Sequence, residues 1–393
     1  MRKMKRRINQ TAAGLVAAAV LLCCRCHAAP ALAARHAVLM DADSGRILFA
    51  HRAEEPALLA STTKIMTGLL VAEQCDLADI VLVPPEAVGV EGSSLHLQEG
   101  DSHTVEMLLY GLMLHSGNDA AVALAIHCCG SQAAFVKQMN QRAQELNLRN
   151  TVFSNPHGLD AEQHHSSARD LAVLTAHAME NEIFRQVVST RTVTLEDRTF
   201  TNHNKLLWQY EDTIGVKTGY TKAAGRILVS CAQRGERRLI AVTMDDPDDW
   251  KDHAVLLDYG FQQFRQHTVL QPGTVLGRAD VSRTGQWAEA VTGDGFSYPV
   301  TEEERLSMQV CLPEQVEPPV LAGTTAGEVI ILLNQVEIAR IPLIWRNSVW
   351  EDSGNGRKTA ENYFPLWRGF QAAGRKAPGG GPDPGQWEHG ASG

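Results

Sequence analysis

Strand-like runs open this chain and return only after a long block of helical periodicity, an order that leaves few ways to bury a core. Residues 36–41 and 46–51 are short apolar runs joined through Ala42-Asp43-Ser44-Gly45, whose Asp-Ser-Gly chemistry suits a hairpin turn. From 61 to about 185 the apolar residues recur three and four apart. Ile65, Met66, Leu69 and Leu70 are followed by Val105, Leu108, Leu109 and Leu112, then Phe135, Met139 and Leu146, then Leu171, Leu174 and Met179. Helix-start chemistry agrees: Thr104 and Ser131 each precede a periodic run, and Ser167-Ala168-Arg169-Asp170 has capping-box spacing. Strand character returns at 214–217, 227–232 and 239–244, the last two joined by Gln233-Arg234-Gly235-Glu236, and a helix is predicted over 252–264. Strands first and last with helices between predict an α/β (α+β) domain. Its mainly antiparallel sheet draws on both ends of the segment, and a helical subdomain is inserted. Residues 268–346 show short strands and turns without a helical period, which predicts a small all-β domain.

The bulk properties narrow the setting. A chain of 393 residues exceeds what one core usually fills, so two domains are expected, here 35–267 and 268–346. A composition of 44% hydrophobic and 21% charged residues is that of a globular protein. With 36 basic against 45 acidic residues, a formal charge of −9 and no basic stripe, a nucleic-acid partner is excluded. Arg2, Lys3, Lys5, Arg6 and Arg7 precede a short apolar run at about 12–22, and small residues follow, so 1–34 reads as a signal peptide of an exported protein. Ala31-Leu32-Ala33 offers a small-x-small cleavage site, with Ala29 a second candidate. Beyond the leader, Cys75, Cys128, Cys129, Cys231 and Cys311 form an odd, scattered set, which reads as buried free thiols rather than a disulfide framework.

Near the other end, within 347–376, Tyr363, Phe364, Leu366, Trp367 and Phe370 stand beside Arg368, Arg375 and Lys376. Two readings stay open there: an interfacial anchor on the outer face of the cytoplasmic membrane, or docking onto the protein. Pro365 would cap or kink any helix. Residues 377–393, with Pro378-Gly379-Gly380-Gly381-Pro382, predict a disordered tail.

Three short elements carry the chemistry: Ser61-Thr62-Thr63-Lys64, Ser116-Gly117-Asn118 and Lys217-Thr218-Gly219. Each has a plain alternative: a helix cap followed by a surface lysine, another cap, and an exposed strand end. Together they point to a nucleophile with its base. If Ser61 opens a helix, Lys64 lies one turn later on the same face, within reach of the hydroxyl. Serine needs a group to accept its proton, and a lysine can do so only when burial or a neighbouring cation depresses its pKa; Lys217 is such a neighbour. A helix N-terminus at Ser61 also offers backbone N–H groups to a developing oxyanion. Ser116-Gly117-Asn118 reads as an interhelical loop presenting a hydroxyl and an amide. Lys217-Thr218-Gly219 ends a strand, where a cation and a hydroxyl can hold a carboxylate and glycine lets a substrate backbone approach.

These elements, in this order, resemble the penicillin-binding proteins and serine β-lactamases. Further stretches extend the likeness: 56–70, Gly92-Ser93-Ser94-Leu95, Asn155-Pro156-His157-Gly158-Leu159-Asp160, Asn202-His203-Asn204-Lys205-Leu206-Leu207 and Gly215-Val216-Lys217-Thr218-Gly219-Tyr220-Thr221. They look like the D-alanyl-D-alanine carboxypeptidase family of low-molecular-mass penicillin-binding proteins. The resemblance implies a β-lactamase/transpeptidase-like catalytic domain followed by a small β domain, with no cofactor and no metal. It implies removal of the terminal D-alanine from peptidoglycan stem peptides, with β-lactams as acylating inhibitors. By position, Ser61 is then the acylated nucleophile, Lys64 the base and Ser116 a proton relay. Asn118 would hold the substrate's peptide amide, Lys217 and Thr218 its carboxylate, and the backbone N–H groups of Ser61 and Tyr220 the oxyanion, with Gly219 beside them. The chain departs from relatives at Tyr220, where histidine is common, and at Asp245-Asp246-Pro247-Asp248-Asp249-Trp250, where an arginine-bearing segment is expected.

Rivals on the same scaffold are a β-lactamase, for which no Glu-x-x-Leu-Asn element lies between Asn118 and Lys217, an endopeptidase, and a non-catalytic sensor of muropeptide or antibiotic. A zinc peptidase is weighed because His157, His164 and His165 are close in sequence. Their spacing is poor, and they read as solvated loop histidines.

Overall fold

The computed structural model describes residues 29–351. Most of the predicted leader, most of segment 347–376 and all of the tail 377–393 lie outside the described residues. The chain divides into two compact units between Gln263 and Phe264.

In the first unit, β1 (His36–Asp41) and β2 (Ile47–His51) form the hairpin expected from the turn chemistry. The Asp41 carboxylate accepts hydrogen bonds from the Ser44 backbone N–H and hydroxyl. β3 (Thr213–Thr221), β4 (Gly225–Arg234) and β5 (Arg237–Met244) complete an antiparallel sheet in the order β2-β1-β5-β4-β3. β3 is therefore an edge strand, and it runs past the predicted 214–217 through Lys217-Thr218-Gly219 to Thr221. All six positions of β1 are buried, because helices cover both faces. Val38, Met40, Ile240 and Val242 join the helical core. Leu39 and Leu239 face α7 (Asp249–Gln263), where a Cβ on Gly260 would stand 2.7 Å from each.

Between β2 and β3 run α1 (Lys64–Gln74), α2 (Val105–Tyr110), α3 (Asn118–Cys129), α4 (Gln132–Glu145), α5 (Ala168–Ala178) and α6 (Glu182–Ser189). Thr104, Ser131 and Ser167 cap their helices through side-chain oxygens, as their positions predict. After the polar pair Asn118-Asp119, α3 is apolar on every side from Ala120 to Ile126, and Asn118 through Ala125 are all buried, which makes it the internal strut of the helical layer. Not foreseen is a short ribbon, Thr192–Leu195 with Arg198–Thr201, whose strands are only four residues each and turn at Glu196-Asp197, both at positive φ.

Two of the five cysteines expected as free thiols are paired instead. Cys75 at the end of α1 and Cys128 near the end of α3 form a disulfide, with Cα atoms 6.5 Å apart. Packing of α1 against α3 brings together two residues 53 positions apart, which sequence spacing alone does not reveal. Cys129, Cys231 and Cys311 are free, but Cys311 is exposed rather than buried.

The described residues of the second unit are all β. A six-stranded sheet runs in the order Leu306–Cys311, Thr325–Leu333, Val336–Trp345, Gln286–Thr292, Val275–Val281, Gln315–Val316, parallel only in its last pair. Arg265–Leu270 pairs with Phe296–Val300 in a separate ribbon. Ala288, Ala290, Val329, Ile331, Leu343 and Trp345 form its core.

Candidate active site

Ser61 does not open the α-helix itself. It sits in a single 3-10 turn, Ala60–Thr63, and Lys64 is the first residue of α1. The turn is tightly held: Thr62 Oγ1 donates to Leu59 O, Thr63 Oγ1 donates to Ala60 O at 2.9 Å, and His164 Nε2 lies 2.7 Å from Thr63 Oγ1. Since the Ser154 N–H donates to His164 Nδ1, Nε2 carries the ring proton and donates to the threonine. His164 is 1% exposed, which corrects the solvated-loop reading. Burial, then the charges of His165 and Lys64, lowers it to about 4, so the ring is neutral. Ala60 adopts φ +44°, an uncommon region for a non-glycine residue, immediately before Ser61.

Gly158 explains how that conformation is kept. Asn155 Oδ1 accepts from the His157 and Gly158 backbone N–H groups and its Nδ2 donates to Leu159 O, folding 155–159 into a tight loop. Gly158 has φ +95°, and a Cβ there would overlap the Ala60 carbonyl. The loop carbonyls then turn inward: Lys64 Nζ donates to His157 O at 2.6 Å, and Thr67 Oγ1 to Pro156 O at 2.6 Å.

Lys64 is wholly buried, with Nζ 3.1 Å from Ser61 Oγ and 2.6 Å from Asn118 Oδ1. Burial, then the Lys217 charge, holds its pKa well below the ordinary lysine value, against a smaller opposing pull from Asp119. Asn118, the first residue of α3, spans two partners, since its Nδ2 also donates to Glu91 O. Ser116 occupies the left-handed region at φ +68° and accepts from Lys217 Nζ at 3.1 Å. Lys217 is equally buried, and burial lowers it to about 7. Asp119 anchors the facing loop by accepting from Leu95 N, Leu97 N and Ser94 Oγ.

Around these groups lies a cleft of about 600 Å³, lined in part by Ser61, Ser116, Thr218, Gly219 and Tyr220. A Cβ on Gly219 would stand 3.3 Å from Ser61 N, so β3 passes directly beside Ser61. Tyr220, 65% exposed, is at the rim. The structure thus gathers all eight residues singled out by sequence, with Lys64, Asn118 and Lys217 behind the wall and the others along it.

Sequence reasoning missed Arg226, Asp249 and Trp250, which also line the cleft. Arg226 follows Gly225 in β4 and pairs in register with Tyr220. Its Nε and Nη2 donate to the buried Asp249 carboxylate at 2.7–3.1 Å, and its guanidinium lies 5.7 Å from the Trp250 ring centroid. The acidic segment 245–250, which seemed to lack an arginine, therefore borrows one from the neighbouring strand. Pairing β4 against the Lys-Thr-Gly strand residue by residue is the signal that could have found it.

The family described as D-alanyl-D-alanine carboxypeptidase matches residues 25–248, more than half of the chain. The chain belongs to this family. It is 32% identical to the D-alanyl-D-alanine carboxypeptidase DacF of Bacillus subtilis (strain 168), over 79% of this chain and 84% of that protein. It is 36% identical to DacD of Escherichia coli (strain K12), over 80% and 87% of the two chains. Among solved structures, penicillin binding protein 5 from Haemophilus influenzae matches with a TM-score of 0.73 at 30% identity, covering 82% of this chain and 99% of that one. The predicted transpeptidase-like α/β fold is therefore present. The chain is an enzyme, a serine-type D-alanyl-D-alanine carboxypeptidase, and its family places it in peptidoglycan metabolism.

Proposed function

We propose that this carboxypeptidase works outside the cytoplasmic membrane through an acyl-enzyme on Ser61, releasing the terminal D-alanine of stem peptides, and that β-lactams acylate the same oxygen. The observation that carries this reading is the set of neighbours around Lys64 Nζ. A neutral amine has two N–H donors and one lone pair. Asn118 Oδ1 and His157 O, each at 2.6 Å, take the donors, which leaves the lone pair for the Ser61 hydroxyl at 3.1 Å. Burial and Lys217 favour that neutral form. Ser61 Oγ attacks the carbonyl of the penultimate D-alanine as its proton passes to Lys64. The N–H groups of Ser61 and Tyr220 receive the oxyanion where β3 passes the 3-10 turn. Ser116, bonded by Lys217, stands as the proton relay to the leaving amine. Water then cleaves the ester. Asn118 orients Lys64 first, and its second Nδ2 hydrogen is left for the substrate's peptide group.

For the carboxylate, Thr218 supplies a hydroxyl and Lys217 positive potential from behind. Arg226 adds a direct donor: Asp249 takes Nε and Nη2, and Nη1 has no partner among the described residues. A charge-assisted bond of this kind contributes about 1.5–3 kcal/mol. Arg226→Gln should therefore lower kcat/KM about tenfold or more, mainly through KM, as measured by steady-state D-alanine release; an unchanged KM would remove Arg226 from the pocket.

Incubation of the purified protein with diacetyl-L-lysyl-D-alanyl-D-alanine tests the function itself. Stoichiometric free D-alanine is expected. Penicillin labelling without release from this peptide, together with cleavage of a cross-linked muropeptide dimer, would favour an endopeptidase; labelling with neither would favour a sensor.

A further inference from the structure

One turn after Asp249 at the start of α7, Asp252 is 3% exposed and accepts two backbone hydrogen bonds through a single oxygen, from Ala33 N at 2.6 Å and Ala34 N at 3.2 Å. Asp249 has its cation in Arg226, but no arginine, lysine or histidine side chain bonds Asp252 among the described residues. The surroundings add negative charge. Asp246 is 1% exposed with Oδ2 unpartnered among the described residues, and burial, reinforced by Asp252 and Asp249, pushes it up to about 6. Removing a carboxylate from water without a counter-charge costs several kcal/mol.

Processing of an exported chain offers a cation for this carboxylate. Ala31-Leu32-Ala33 is a small-x-small sequence. Hydrolysis of the following peptide bond by a signal peptidase adds the water oxygen to the Ala33 carbonyl carbon and leaves the nitrogen of Ala34 as an α-ammonium, where its amide now meets Asp252. Ala34 is itself buried, Arg35 N donates to Asp245 O at 3.2 Å, and His36 begins β1, so the new terminus is held on both sides. We propose that Ala33–Ala34 is the processing bond and that Asp252 is the receptor for the amino terminus it creates, a buried ion pair present only in the processed protein. This rests on the chain being exported, as the proposed function requires.

Among the described residues, the charged groups on the elements that meet there are Asp245, Asp246 and Asp248 of the turn, Asp249 and Lys251 of α7, Arg35, which pairs with Asp245, and Arg226, which pairs with Asp249. His253, the next residue, has its ring committed to Ser230 and Thr243. An α-ammonium against a buried carboxylate keeps its proton above the ordinary range of about 7.7–8.0. Its contribution to stability is thus complete below about pH 7.5 and is lost as pH rises through the raised value.

The test is to express the full chain with its own leader in an exporting bacterium, determine the intact mass of the purified product, and follow Tm from pH 6.5 to 10 beside Asp252→Asn. A chain beginning at Ala34 is expected. Its Tm should exceed that of the variant by several degrees near pH 7, with the gap closing toward pH 10. A chain beginning at Pro30, Leu32 or Arg35, or retaining its leader, overturns the proposal, as does a gap that does not change with pH. If the variant fails to accumulate, the wild-type α-amine is titrated through the pH dependence of its carbamoylation by cyanate. A value above 8 is expected, and one at or below 8 overturns the proposal. D-alanine release from the same preparation reports the enzymatic reading separately.

Discussion

Replacing Lys64 with methionine should slow acylation by penicillin and lower kcat/KM for D-alanine release at least about 10³-fold, in a protein that still folds. Methionine fills nearly the same buried volume, so little packing is lost. The Asn118 Oδ1 and His157 O acceptors lose their donor, but a buried amine with no carboxylate bonded to it among the described residues is also removed. Lys64→Arg separates charge from basicity: a guanidinium retains the cation but cannot accept a proton at neutral pH, so it should be as inactive as the methionine variant. Substantial activity in Lys64→Arg would show that Ser61 loses its proton elsewhere. The same assignment fixes the pH profile. Activity should rise as Lys64 loses its proton, from a pKa well below the usual lysine value, and kcat/KM should fall as Lys217 loses its own, from about 7 upward. A bound carboxylate stabilises the Lys217 ammonium, so the falling limb of kcat should lie at higher pH than that of kcat/KM. The two lysines interact, and the limbs belong to the pair.

Gly158→Ala should be the most damaging substitution that touches no reacting group. The added Cβ pays twice: φ +95° is strained for any L side chain, and the methyl overlaps the Ala60 carbonyl, which holds the turn carrying Ser61. A loss of about 2–5 kcal/mol of stability and at least about 10²-fold in acylation rate is expected, read by thermal melts and penicillin labelling. Gly130→Ala is the control. Gly130 has φ +76° with nothing within 4 Å of the new Cβ, so only the backbone cost of about 1–2 kcal/mol applies, with acylation unchanged. Equal effects at the two positions would mean that the contact between Gly158 and Ala60 does not shape the turn that carries Ser61.

The sequence revealed what depends on local spacing. Helix caps at Thr104, Ser131 and Ser167, the hairpin at Asp41, and the pairing of Ser61 with Lys64 one turn apart are all written within a few residues of each other. It concealed what depends on two distant segments meeting. The His157 carbonyl that orients Lys64 is a backbone group, and backbone groups leave no residue type to recognise. Arg226 looks like an ordinary strand residue until β4 is laid against β3 and Asp249 is brought up by α7. Cys75 and Cys128 are matched by helix packing rather than by any Cys-x-x-Cys spacing. His164, a loop residue by position, is buried where its ring meets Thr63 of the Ser61 turn.

Every proposed catalytic step begins with acylation of Ser61. Incubating the protein with a penicillin, digesting it and locating the adduct by mass tests this most directly. A single adduct with the mass of the intact antibiotic, on the peptide containing Ser61 and absent from Ser61→Ala, is the predicted result. An adduct elsewhere, or one that survives in Ser61→Ala, would contradict it.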